Sequence, residues 1–327
     1  MTNSRRALII GVTGQDGSYL ARLLLEKGYS VWGTTRDIDG TELWRLDVLG
    51  IRDRVALRPF STVDSGEFLR LLSEVEPQEI YNLSGQTSVG LSFDQPLVAF
   101  ESITISTMRI LDAIRTARME TKYFNACSSE CYGSVEPGQA CDESSPFQPV
   151  SPYGVAKAAA YWACRNYREA YDLFSVSGIL FNHESPLRPR RFVTSRIVRG
   201  AIEIKRGEKS ELVLGNLDVF RDWGYAPEYV DAMWRMLQQE TPKDYVIATG
   251  RSYSLRSFVS KVFSKLALDW RQYVNEDPER YRALDIYYSA GDPSLAREEL
   301  GWTARTDLDT LIELMIDAEL SGNICAQ

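Results

Sequence analysis

The chain has 327 residues, 44% apolar and 25% charged, which are the proportions of a globular protein with room for about two domains. Its 37 Lys and Arg stand against 45 Asp and Glu, and a formal net charge of −8 argues against a nucleic-acid partner, whose phosphates demand a basic surface. No apolar run approaches the roughly 20 residues that span a bilayer, and the polar start, Met1 to Arg6, lacks the apolar stretch of a secretory signal, so a cytoplasmic protein with no membrane partner is expected.

In chain order, Ala7–Ile10 reads as a strand, Ser18–Glu26 as a helix and Ser30–Thr34 as a strand. Val55–Leu57 is a weak strand, and Glu67–Val75 is helical by its apolar spacing. Strand Glu79–Leu83, helix Ile103–Ala117 and strand Lys122–Ala126 follow, then a long helical pattern over Tyr153–Tyr171 and a strand at Val176–Phe181. Strands alternating with helices imply a doubly wound, Rossmann-like α/β fold whose parallel sheet is covered on both faces. Pro186 and Pro189 then break the rhythm. Helices near Val193–Arg206 and Glu228–Gln238, with strands at Glu211–Leu214 and Tyr245–Ala248, suggest a smaller α/β domain. The expected division is residues 1–182 for a dinucleotide and 183–327 mainly for a substrate, the two partly interleaved.

The basic residues are lopsided, 29 Arg to 8 Lys. Arg offers a planar fork that grips phosphate, although genome composition produces the same bias. The five cysteines, Cys127, Cys131, Cys141, Cys164 and Cys325, lack paired spacing, and His183 is the sole histidine. Free, mostly buried thiols and no metal are expected.

Three motifs carry chemistry. Gly11-Val-Thr-Gly14-Gln-Asp-Gly17 follows a strand and opens a helix, where a dinucleotide site needs glycines for a tight turn, close approach of pyrophosphate and helix–strand packing. Its spacing is G-x-x-G-x-x-G. Arg36, at the end of the second strand, suits a 2′-phosphate and so favours NADP over NAD, with the neighbouring Asp37 pulling the other way. Tyr153 and Lys157 share one helix face, where a Lys ammonium is expected to lower the Tyr pKa from about 10 and fit it to take a proton from an alcohol. Ser128 and Glu130 follow the fifth strand, at the crevice end of the sheet. Ser128 is a candidate hydrogen-bond partner for a substrate hydroxyl, or a turn cap; Glu130 is a candidate acid/base, or a solvated loop acid.

These residues resemble an extended short-chain dehydrogenase/reductase. Longer matches, Gly14-Gln-Asp-Gly-Ser-Tyr-Leu20, Ser151-Pro-Tyr-Gly-Val-Ala-Lys157, Leu180-Phe-Asn-His-Glu-Ser-Pro186, Arg221-Asp-Trp-Gly224 and Gly291-Asp-Pro293, resemble the GDP-mannose 4,6-dehydratases and span nearly the whole chain in order. The resemblance implies a nucleotide-sugar dehydratase working with NADP. In it NADP+ would take hydride from C4 of the hexose while Tyr153 takes the hydroxyl proton, tuned by Lys157 and with Ser128 positioning the oxygen, and Glu130 would remove the C5 proton and assist loss of water from C6. It implies a cofactor set of Gly11, Thr13, Gly14, Gln15, Asp16, Gly17, Arg36 and Leu83 with Tyr153 and Lys157. It also implies substrate contacts from Thr87, Asn182, Val193, Arg196, Asn216, Arg221 and Arg282, and a homodimer or homotetramer. The chain departs from the family pattern at Asp37, at Ser61 near the adenine, in the Ser84-Gly85-Gln86-Thr87 loop beside the sugar, at Ser128 in place of Thr, and at Cys131. A nucleotide-sugar 4-reductase or epimerase on the same fold is the rival reading, since 4-keto reductases also carry the Ser and the Glu. A non-catalytic sensor is disfavoured by the intact Ser, Glu, Tyr and Lys.

Overall fold

The computed structural model describes residues 4–36, 38, 43–60 and 65–322; Asp37, Ser61 and Cys325 lie outside them. The first half runs β1 (Arg6–Ile10), α1 (Gln15–Glu26), β2 (Ser30–Thr35), α2 (Trp44–Val48), β3 (Val55–Pro59), α3 (Ser65–Val75), β4 (Glu79–Asn82), α4 (Val89–Asp94), α5 (Pro96–Phe100), α6 (Ser106–Ala117), β5 (Lys122–Ser128), α7 (Pro152–Tyr171) and β6 (Ser175–Leu180). The second half runs β7 (Asn182–Glu184), α8 (Val193–Lys205), β8 (Leu212–Leu214), β9 (Phe220–Tyr225), α9 (Ala226–Leu237), β10 (Tyr245–Ile247), β11 (Ser252–Ser254), α10 (Leu255–Lys265), β12 (Val274–Glu276), α11 (Ser294–Leu300) and α12 (Leu308–Leu320).

Seven parallel strands form the main sheet in the order β10-β6-β5-β4-β1-β2-β3. The fold is therefore the doubly wound α/β class that strand–helix alternation predicts. Buried on both faces, strands such as Ala7-Leu-Ile-Ile10 show continuous apolar runs rather than alternation. Leu20 and Leu24 of α1 pack with Val230 and Met233 of α9 on one face, and Leu72 of α3 packs with Ile110 and Ile114 of α6 on the other. β1 leads to β2 on one side and pairs with β4 on the other, so the strand order reverses between β1 and β4. The carboxyl ends of these two strands open the crevice where a doubly wound sheet binds its ligand.

The second half holds more elements than its sequence pattern suggests. β10 joins the main sheet beside β6, while β7, β9 and β11 form a three-stranded sheet and β8 and β12 pair separately. Ile197, Ile202, Phe258, Val262, Leu311 and Ile312 bring α8, α10 and α12 into a second core. The helix expected over Ile103–Ala117 starts as a π-turn at Glu101–Ile105 and becomes α-helical at Ser106.

Candidate active site

The glycine turn fills the β1/β4 crevice. Gly11 has a φ of +88°, and a Cβ there would stand 3.1 Å from the Leu83 carbonyl oxygen. Gly17 lies so close to the Gly11 carbonyl that a Cβ would overlap it, so α1 seats against β1 only with glycine here. Gly14 caps α1 with extended backbone, and the first-turn N–H groups face the crevice mouth. Leu83 continues β4, its N–H donating to the Ile10 carbonyl at 3.0 Å. This bare cradle at a helix N-terminus fits a pyrophosphate, and Arg36 stands exposed just beyond β2.

Around the turn the structure adds residues that sequence reading passed over. Arg45 Nη1 donates to the Thr13 carbonyl at 3.0 Å, and its Nε donates to Leu187 O at 2.9 Å. Gln15 Nε2 donates to His183 O at 3.2 Å, and Gln15 Oε1 accepts from Ser185 Oγ at 2.7 Å. Asp16 Oδ2 lies 2.9 Å from His183 Nε2, and His183 Nδ1 lies 2.7 Å from the Phe181 carbonyl. A carbonyl and a carboxylate only accept, so His183 must carry both protons. Burial opposes this charge, but Asp16 raises the His183 pKa overall. Burial likewise pushes Asp16 up, and His183 more than reverses that, bringing it to about 2. The Gln15 and Asp16 side chains thus lock the glycine turn to β7, leaving their first-turn backbone for a ligand.

At the end of β5, Ser128 Oγ accepts from Glu130 N at 3.2 Å, capping the 3₁₀ turn Ser129–Cys131. The Ser128 hydroxyl is also near enough to the Tyr153 side chain to pull that phenol's pKa down. Ser128 is therefore both the turn cap and a partner of the tyrosine. Helix α7 starts at a Ser151 N-cap, whose Oγ accepts from Gly154 N at 3.0 Å. Tyr153 N donates to Ser92 Oγ of α4 at 3.1 Å, a support no motif announces. Lys157 Nζ lies 5.8 Å from the Tyr153 ring centre and donates to the Ala126 carbonyl at 2.6 Å.

Here the structure corrects one expectation. The Tyr153 pKa is raised, not lowered: burial dominates, the Ser128 hydrogen bond lowers it, and Glu130 raises it further. Lys157 spends one of its three N–H donors on Ala126, and burial lowers its own pKa. Burial also lifts Glu130 above the usual carboxylate range, against the pull of Arg221 and Arg282. Glu130 is thus a buried acid/base candidate rather than a solvated loop acid.

The candidate substrate residues fall into distinct places. Arg221 on β9 is buried; its Nη1 donates to Ile286 O at 2.6 Å and its Nη2 to Asp285 Oδ1 at 3.1 Å. Arg282 Nη1 reaches the same Asp285 oxygen at 3.3 Å. Arg196 lies with Arg190, Arg199, Lys209 and Arg280 around a basic cleft of about 370 Å³, where its Nη2 donates to Val213 O at 3.2 Å. Thr87 is exposed, with Arg191 Nη2 at 3.5 Å from its hydroxyl. Asn182 opens β7, Val193 opens α8, and Asn216 spends its Oδ1 on Asp218 N at 2.8 Å. The structure thus brings Arg221 and Arg282 within electrostatic reach of Glu130, and Glu130 within reach of Tyr153. Asp285, which joins the two arginines, was missed because one acid three residues past an arginine carries no signal in sequence.

The family model described as GDP-mannose 4,6 dehydratase matches residues 8–315. The chain belongs to that family. The GDP-mannose 4,6 dehydratase of Homo sapiens is 41% identical over 341 residues, covering 96% of this chain and 91% of its own length. GDP-mannose 4,6 dehydratase 1 of Arabidopsis thaliana is 40% identical, covering 96% of this chain and 89% of its own. Among solved structures, the dTDP-glucose 4,6-dehydratase of Bacillus anthracis, in complex with NAD, superposes with a TM-score of 0.84 at 17% identity over 97% of both chains. The UDP-glucose 4-epimerase of Thermotoga maritima superposes with a TM-score of 0.85 at 21% identity, over 97% of this chain and 99% of its own. At such identities these two structures speak to the fold.

Proposed function

We propose that this chain converts GDP-mannose, or a close GDP-sugar, to its 4-keto-6-deoxy form, using NADP that is regenerated each turnover. The observation that carries the reading is the family match over residues 8–315, joined to a buried carboxyl, Glu130, two residues from Ser128 and within electrostatic reach of Tyr153. Oxidation alone needs the Ser, Tyr and Lys; elimination across C5–C6 needs an extra acid/base beside them.

The residues divide the work. Gly11, Thr13, Gly14, Gln15, Asp16, Gly17 and Leu83 form the cradle for the dinucleotide. Exposed Arg36 supports NADP over NAD through its fit to a 2′-phosphate. NADP held there would supply the hydride acceptor for C4 of the hexose and the hydride donor for C6. Tyr153 accepts the C4 hydroxyl proton while Ser128 holds that oxygen. Lys157, anchored on Ala126, supplies positive charge that favours the phenolate, whose own proton passes to solvent before that transfer. Glu130 then takes the C5 proton, made acidic by the neighbouring C4 ketone, and delivers a proton to the departing C6 hydroxyl. Arg221 and Arg282 are suited to the diphosphate, and Thr87, Asn182, Val193, Arg196 and Asn216 to the rest of the nucleotide sugar.

On this reading residues 1–182 mainly hold the cofactor and 183–327 mainly the substrate. Four described cysteines are free thiols, which fits the cytoplasm; among the described residues no helix is long and apolar enough to cross a membrane. Exposed Leu97 and Val98 of α5, Met108 of α6 and Val155 and Trp162 of α7 support a homo-oligomer, because such an apolar face is costly to leave in water.

The test is mass spectrometry of purified protein with GDP-mannose and catalytic NADP+. Loss of one water with no net NADPH is the expected result. In a parallel reaction supplied with NADPH and a 4-keto nucleotide sugar, net consumption of NADPH would make the enzyme a reductase; with GDP-mannose, a chromatographically distinct isomer of unchanged mass would make it an epimerase, and an untouched substrate would remove GDP-mannose.

A further inference from the structure

The groups facing Glu130 form a connected set. Arg221 faces it from β9, Arg282 and Asp285 from the segment that follows β12, and neutral Tyr153 from α7. Asp285 Oδ1 accepts from Arg221 Nη2 at 3.1 Å, Arg282 Nη1 at 3.3 Å and Ile286 N at 2.9 Å. One oxygen therefore holds two guanidinium groups, and a backbone N–H fixes that oxygen in place. Arg221 is further clamped by the carbonyls of Phe220 and Ile286. Two guanidinium groups and one carboxylate leave a unit charge of +1 opposite Glu130.

We propose that Asp285 is a positioning residue that joins Arg221 and Arg282 into one cationic unit, and that an arriving diphosphate reverses the sign of the charge facing Glu130. This rests on the nucleotide-sugar reading above. The diphosphate of a nucleotide sugar carries two negative charges, so the unit passes from +1 to −1 on binding. Glu130 faces a net cation while the site is empty and a net anion once it is filled. A carboxylate facing an anion binds a proton more tightly and is a stronger base. Removal of a C5 proton asks for that basicity, and it is then switched on by the substrate itself. Low dielectric in a buried site keeps the effect from being screened.

Titration calorimetry with GDP, in two buffers of different ionisation heat near pH 6, reads affinity and protons taken up together. GDP has a titrating phosphate of its own, so Glu130→Gln serves as the reference. The wild-type protein is expected to take up more protons on binding than Glu130→Gln. Asp285→Asn, with its fold checked by thermal denaturation, is expected to bind GDP about tenfold or more weakly. Asp285→Glu is expected to recover most of that loss, which a merely structural role would not produce. Equal proton uptake by wild type and Glu130→Gln overturns the proposal. So does a folded Asp285→Asn with unchanged affinity. The wild-type comparison with Glu130→Gln stands even where Asp285→Asn fails to fold. Binding with equal proton counts removes this proposal alone, whereas no GDP binding at all removes the nucleotide-sugar reading with it.

Discussion

His183 is held between two acceptors, so its pairing with Asp16 works only within a pH window. Asp16 falls from 3.8 to about 2 on folding, so its contribution is present above pH 3.8 and lost as the pH falls towards 2. A shift of that size corresponds to about 2 kcal/mol. His183 is raised above 6.5, so its contribution is full below 6.5 and lost as the pH rises through the raised value. The pair is strongest between about pH 4 and pH 6.5. His183→Gln is therefore expected to lower the thermal midpoint more at pH 5.5 than at pH 8.5. An equal loss at the two pH values would show that no ion pair forms. At this scale the sequence pointed to Ser128, Glu130, Tyr153 and Lys157 as the proposed proton-transfer set, because such a set uses those residue types at the end of a strand and on one helix face. It hid the role of His183, and it hid Arg45, Ser92 and Asp285. These act by reaching across the fold, as Arg45 does in bonding both Thr13 and Leu187, and no local spacing encodes a contact between segments that distant.

Among elements, α7 and the Ser129–Cys131 turn are packed to the limit. A Cβ on Gly154 would stand 2.7 Å from the Glu130 carbonyl oxygen. Gly154→Ala must therefore push that turn off α7, displacing the Glu130 side chain by a few tenths of an ångström or more. The expected outcome is a fall in kcat of about tenfold or more with NADP affinity unchanged, since a small misplacement of a reacting group is costly. Wild-type kcat in Gly154→Ala would mean that the turn carries no acid/base. The elements legible in sequence were those with long apolar runs or clear helical spacing, such as β1, α1, β5 and α7. The strand β9 was not, because Phe220–Tyr225 buries Arg221 and Asp222 at its centre. Those charges are tolerated there because Asp222 accepts from Thr249 N, Thr249 Oγ1 and Gly250 N, at 3.0, 2.7 and 2.9 Å. The three-residue strands β7 and β11, Asn-His-Glu and Ser-Tyr-Ser, are too polar to be read, whereas the equally short β8 and β10, Leu-Val-Leu and Tyr-Val-Ile, show as apolar runs. Brevity hid α4 and α5.

For the whole molecule, the exposed apolar face on α5, α6 and α7 makes association measurable. Leu97 is 79% exposed and Trp162 53%. The double variant Leu97→Arg/Trp162→Glu is expected to elute as a monomer by light scattering where the parent is a dimer or tetramer. An unchanged mass would place the contact elsewhere.

The strand order has a further consequence, for how the polypeptide is made. β6 gains its outer neighbour β10 only at residues 245–247, and α1 gains its cover α9 only at residues 226–237. A nascent chain that has emerged as far as residue 182 carries an open strand edge and a bare apolar helix face. It must keep both away from other nascent chains until the ribosome has delivered some 60 residues more, about 3 to 12 seconds at ordinary elongation rates. Contacts so distant in sequence also slow folding after release. Expressed alone, residues 1–182 are expected to precipitate, and supplying residues 183–327 afterwards should rescue less material than continuous synthesis.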